Sequence, residues 1–90
     1  MSTKNITPRK IKIIEDYLDS VILPLYPKIS RIEPHLNNSI PMIRLYLNKL
    51  SDKMSEDDWI DVVDDIWVRL HNMFDISVAI HKVKPHQSKL

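Results

Sequence analysis

The residues of this chain best placed to do chemistry lie in one stretch, SEDDWIDVVDDIW from Ser55 to Trp67, which holds five aspartates and a glutamate. Carboxylates at that density can ligate a hard cation or attract a basic partner. Spacing decides between these uses. With about 100° per residue and Trp59 at the origin, Trp59, Val63, Ile66, Trp67, Leu70, Met73 and Phe74 fall within an arc of about 120°, with Val62 at one edge. Asp57, Asp58, Asp61, Asp64, Asp65, Asn72 and Asp75 fall on the other side, so the segment is predicted to be an amphipathic helix with one acidic stripe.

A bare stripe along one helix lacks the converging ligands that a hard cation needs. Within it, DDWID at residues 57–61 resembles the D-D-x-x-D magnesium-diphosphate motif of prenyltransferases and terpene synthases. The resemblance covers five residues of ninety. Those families also use a large helical cavity and a second acidic motif on a facing helix, and the rest of the sequence supplies neither. His35, His71, His81 and His86 form no H-x-x-x-H or H-E-x-x-H pattern, and no serine sits in a nucleophile motif. Cysteine is absent, which removes thiolate metal sites, disulfides and a cysteine nucleophile. Glycine is absent as well, and with it the phosphate-cradling loops of P-loop and Rossmann proteins. The expectation is a protein without catalytic activity, cofactor or bound metal.

The elements that position the stripe follow from periodicity and prolines. Ninety residues make one domain, expected over residues 7–84 with flexible tails at 1–6 and, basic in character, at 85–90. Thr7 can cap a helix that opens on Pro8, and Ile11, Ile14, Leu18, Val21 and Ile22 recur at helical spacing up to about Leu23, where Pro24 stops it. Prolines at 24, 27, 34 and 41 break the next segment. A short helix from about 27 to 32 and a turn or second piece from Pro34 fit there, with Ile29, Ile32 and Leu36 turned inward. Met42, Ile43, Leu45, Tyr46, Leu47 and Leu50 predict a well-buried helix from about residue 40 to 53.

Ser55 caps the acidic helix, and the apolar pattern runs on through Ile76 and Ile80 to Val83. Unbroken, that helix would be about 42 Å long at 1.5 Å per residue and would overhang a first helix of about 24 Å. Either it bends near residues 72–75, with Asp75 capping a last short helix, or its end is buried against another chain. The predicted fold is all-α: a small compact bundle of about four helices with a long or bent C-terminal helix. No run of apolar residues is long enough to span a bilayer, and the expected location is cytoplasmic.

The dipole accounts for acids in the first turn of the acidic helix but fades beyond it. Asp57 with Asp61, and Asp61 with Asp65, are like-charge pairs at i,i+4, each costing about 0.2–0.5 kcal/mol in a helix. Residues 52–75 carry eight acids against two bases, whereas residues 1–51 carry eight bases against four acids, so a net charge of +1 conceals a dipolar molecule. Solvation alone can accommodate such a face. The functional expectation is a small accessory, inhibitor or adaptor protein that presents Asp57, Asp61, Asp64 and Asp65 to a protein partner with a basic surface. Abundant isoleucine and lysine with a single alanine match the composition of AT-rich phage and mobile-element genes. The alternative is a small nucleic-acid-binding regulator using Arg9, Lys10, Lys12, Lys82 and Lys84, with a homodimer formed through the C-terminal part of the last helix.

Overall fold

The computed structural model describes residues 6–37, 39–49 and 53–84, and it is an α+β fold in which three segments read above as helical are strands. The expected 85–90 tail, and residues 1–5 of the N-terminal one, lie outside the described residues. Ile6, just inside them, packs against the core.

The first helix forms where expected. Thr7 accepts a hydrogen bond from the Lys10 amide at 3.1 Å, and Pro8 opens α1, Pro8–Tyr17. The rod continues through a π turn, Leu18–Ile22, and ends in a single turn, α2, Leu23–Leu25. The wider turn closes with the Leu23 amide on the Leu18 carbonyl, immediately before Pro24, whose ring would crowd a carbonyl four residues back. Ile14, Leu18 and Ile22 form the buried side of this rod, while Val21, expected inward, is exposed because it lies on the opposite side of the π turn.

The bundle of about four helices is replaced by a three-stranded sheet: β1, Ile29–His35, β2, Met42–Leu47, and β3, Ala79–Val83, in the order β1-β2-β3. β1 and β2 are antiparallel, with Ile32 opposite Leu45 and Pro34 opposite Ile43. The register shifts between Ile29 and Arg31. Residues 29 and 32 stand an odd number apart, so a regular strand would point them to opposite faces; the shift lets both be buried. Pro34 is tolerated because β1 is an edge of the sheet. In β2, Ile43, Leu45 and Leu47 are buried while Met42, Arg44 and Tyr46 are not, an alternation of period two rather than the all-round burial of a helix.

Ser55 caps α3, Glu56–Phe74, in a full capping box: the Asp58 amide donates to Ser55 Oγ at 3.1 Å and the Ser55 amide to Asp58 Oδ2 at 3.4 Å. A Ser55→Ala chain is expected to lose about 1 kcal/mol, read as a lower urea midpoint at unchanged slope. The helix neither bends nor runs on. It stops at Phe74, and Asp75 takes a left-handed conformation, φ 56° and ψ 47°, as its C-terminal cap. In a chain without glycine, aspartate is among the few residues that accept this geometry. Asp75 therefore ends one helix instead of starting another. Ile76 and Val78 follow as buried extended chain, and β3 runs parallel to β2, with Ile80 beside Ile43. The helical surface invoked above for a homodimer is thus partly core and partly strand.

Parallel neighbours need a crossover, and α3 is that crossover. The buried residues of the α1 rod, of α3 (Val62, Ile66, Leu70) and of β2 form one cluster with Ile29, Ile32 and Leu36. Both helices therefore cover the same side of the sheet. The side bearing Arg31, Glu33, Met42, Arg44, Tyr46 and His81 contributes nothing to that cluster.

Candidate protein-docking face

The acidic stripe is real but not uniform. Val62, Ile66 and Leu70 point α3 into the core, which turns Asp57, Asp61 and Asp64 fully outward. None of these three enters an ion pair among the described residues. Arg69, the sole arginine or lysine of α3, is turned the other way. On the geometry of about 100° per residue, Ile60, Trp67, His71 and Val68 share the 80–180° flank with Asp57 and Asp64, and Asp61 borders it.

That flank is apolar as well as acidic. Ile60 is 54% exposed, Val68 40% and Trp67 37%, and the Trp67 ring stacks on His71 with centroids 5.0 Å apart. The wheel placed both tryptophans inward. Trp59 is indeed half-buried against the core, with Lys82 Nζ 5.1 Å from its ring centroid, but Trp67 lies at the margin of the apolar arc and is exposed. Ile60 and Val68 were the missed signal: isoleucine and valine standing outside the core arc of an otherwise acidic surface.

Asp65 has a different occupation. It accepts the Tyr26 hydroxyl and, at 2.9 and 3.1 Å, the Nε–H of Arg69, while Arg69 Nη1 donates to the Tyr17 hydroxyl at 3.1 Å. The network ties α3 to the middle of the first helical rod, at Tyr17, and to the residue that follows its last turn, Tyr26. Burial, then the bond to Asp65, pushes the Tyr26 hydroxyl up to about 12, and the bonds to Tyr17 and Asp65 raise the Arg69 guanidinium further. Tyr17 also meets Phe74 edge-on, centroids 5.6 Å apart. Of the four aspartates singled out above, the structure brings Asp57, Asp61 and Asp64 together outward and commits Asp65 to the fold.

Beside Asp61, an open concavity of about 260 Å³ lies between the start of β1 and the first turns of α3, floored by Tyr26, Ile29, Met54 and Val62 with Asp58 and Asp61 at its rim. It is largely apolar and large enough for one long side chain. Among the described residues no group of three or more acidic or histidine side chains is placed to hold a metal ion.

Of the basic residues of the alternative reading, Lys10 and Lys82 lie toward opposite ends of the β2–β3 pair. Arg9 and Lys12 are exposed on α1, and Lys10 lies beside Pro41 and Ile76, at the end where Met42 pairs with Ala79. Lys82 and Lys84 lie toward the other end, where Tyr46 pairs with Val83. Among the described residues no helix is long and apolar enough to cross a membrane. Comparison with known protein families, curated proteins and solved structures returned no match.

Proposed function

We propose that this chain works without catalysis, in the cytoplasm, as an accessory, inhibitor or adaptor protein whose α3 face docks on a basic surface of a protein partner. The observation that supports this reading is the coincidence, on one exposed flank, of three outward aspartates with Ile60, Trp67 and Val68. Acidic groups alone would be satisfied by solvent. Exposed tryptophan beside isoleucine supplies the desolvated anchor on which interface energy concentrates, and the surrounding carboxylates supply orientation and encounter rate. The partner segment that fits is amphipathic: apolar side chains opposite Trp67 and Ile60, flanked by arginine or lysine. A long side chain of the same segment fits the concavity rimmed by Asp58 and Asp61.

The test is two-stage. Partners are identified by cross-linking and mass spectrometry from the native host, and the purified partner is then titrated against variants. Asp61→Lys with Asp64→Lys is expected to abolish binding, and Trp67→Ala to weaken it by at least tenfold, a cost of about 1.4 kcal/mol or more. All of these are exposed positions, so the fold should survive, as checked by circular dichroism. Unchanged affinity in both variants would remove α3 as the docking face.

A further inference from the structure

We infer that the uncovered face of the sheet binds single-stranded nucleic acid, with the Arg31–Tyr46 stack as its platform for a base and Arg44 as a phosphate contact. The face is set by register. Arg31 lies opposite Tyr46, Glu33 opposite Arg44 and His35 opposite Met42 on the antiparallel side. Arg44 lies beside His81 and Tyr46 beside Val83 on the parallel side. None of these residues is buried, and both helices pack on the other side of the sheet.

Its chemistry is the opposite of the α3 face. Two arginines stand against one acid, Glu33, and that acid is already engaged. Glu33 Oε1 accepts the Tyr46 hydroxyl at 2.6 Å, with Arg44 Nη1 at 3.9 Å and His35 Nε2 at 3.7 Å. The Tyr46 bond is also what holds the Glu33 carboxyl below its usual range. Arg31 lies over Tyr46, guanidinium carbon 4.1 Å from the ring centroid, and donates no hydrogen bond to any described residue. Its upper face and its N–H groups are available together. Bases stack on arginine planes and on aromatic rings alike, and arginine donors match phosphate geometry. A strand of six or seven residues spans about 20 Å, room for two or three nucleotides.

A second copy of this chain, offering its own acidic α3 flank, would satisfy the same charges. That contact would be heterologous and, unless it closed into a ring, would grow into a filament, and it would make no use of the cation–π stack. The stack favours a ligand with π faces and a repeating anion.

The experiment titrates the full chain into fluorescently labelled twelve-nucleotide oligo-dT and oligo-U at two salt concentrations, with a duplex of the same length for comparison. Single strands are expected to bind, more weakly as salt rises, with a log–log slope of about −0.7 for the phosphate contact of Arg44. Arg31→Ala with Arg44→Ala should cost at least tenfold, and Tyr46→Ala about fivefold or more, as loss of a stacking platform does. Tyr46→Phe keeps the ring and should retain binding, which separates stacking from folding. The Asp61→Lys, Asp64→Lys variant should not weaken this binding, so failure here and failure of the α3 reading are distinguishable. The inference is overturned by absence of single-strand binding at low salt, by equal affinity for the duplex, or by binding indifferent to Arg31, Arg44 and Tyr46. It is equally overturned if the arginine variant instead abolishes concentration-dependent self-association measured by light scattering.

Discussion

Truncating Ile43 or Leu45 to alanine is expected to cost about 2–5 kcal/mol each, while Arg44→Ala between them shifts stability by about 0.5 kcal/mol or less. Ile43 and Leu45 are fully buried in the central strand, whereas the Arg44 side chain is 47% exposed. Each aliphatic side chain is packed from three directions: β1, β3 and the helical layer. The cavity left by truncation has little means of closing, because β2 is held by neighbours on both edges. Against a typical domain stability of about 5–15 kcal/mol, either truncation should leave a chain that is marginal at 37 °C. Urea midpoints at constant slope are the measurement. Met42→Ala, on the open face, supplies the control; if it cost as much as Ile43→Ala, burial would not alternate along this segment and the strand would be wrong.

The same alternation explains what the sequence could and could not disclose. MIRLYL offers apolar residues at 42, 43, 45, 46 and 47, a set that satisfies a helix buried all round. It satisfies equally a strand whose outer face carries Met42 and Tyr46. Periodicity over six residues does not separate the two. What separates them is tertiary: β1 supplies a partner ladder on one side and β3 on the other. The β-branched residues at 29, 32, 43, 76, 78, 80 and 83 were the local hint, outweighed in the reading by continuity of the helical pattern past Phe74. Asp75 marks the true break: expected as the cap that opens a last short helix, it is the left-handed residue that closes α3. The helix ends at Thr7 and Ser55 were legible because capping is a local matter of one hydroxyl and one amide. So was the outward direction of Asp57, Asp61 and Asp64, because Val62, Ile66 and Leu70 set the roll of α3.

The charge asymmetry seen along the chain acquires a spatial form in the fold. The two helices share one layer, and α3 turns its acids away from the sheet. The opposite surface of the molecule is the bare sheet, where Arg31 and Arg44 outnumber the single acid Glu33. Two faces of opposite sign on a domain this small favour two different kinds of partner and discourage either from taking the other's place. The arrangement also separates their tests, since a substitution on α3 and one on the open sheet face do not share contacts and their effects should add.

Asp65 was grouped by sequence with Asp61 and Asp64, yet its replacement should cost stability. Asp65→Ala is expected to destabilise by about 1 kcal/mol, since it leaves the Tyr26 hydroxyl and Arg69 without their shared acceptor while both remain within reach of water. Asp61→Ala should be neutral or slightly stabilising, because it removes two like-charge neighbours worth about 0.2–0.5 kcal/mol each. The pH dependence supplies an independent reading. The Tyr26 hydroxyl rises from its ordinary 10.0 to about 12 in the folded chain, so the folded state holds a proton that the unfolded state releases. By linkage, the Tyr26 contribution is fully present below about pH 10 and is lost as the pH climbs toward about 12. Tyr26→Phe should therefore flatten the fall in stability between those values relative to the parent chain, and Asp65→Ala should flatten it in part, because burial, the larger cause, remains. Denaturant midpoints at pH 8, 10 and 11.5 measure this directly. If the parent and Tyr26→Phe chains lose stability in parallel across that range, the hydroxyl is not held by Asp65 in solution, and Asp65 returns to the exposed stripe beside Asp61.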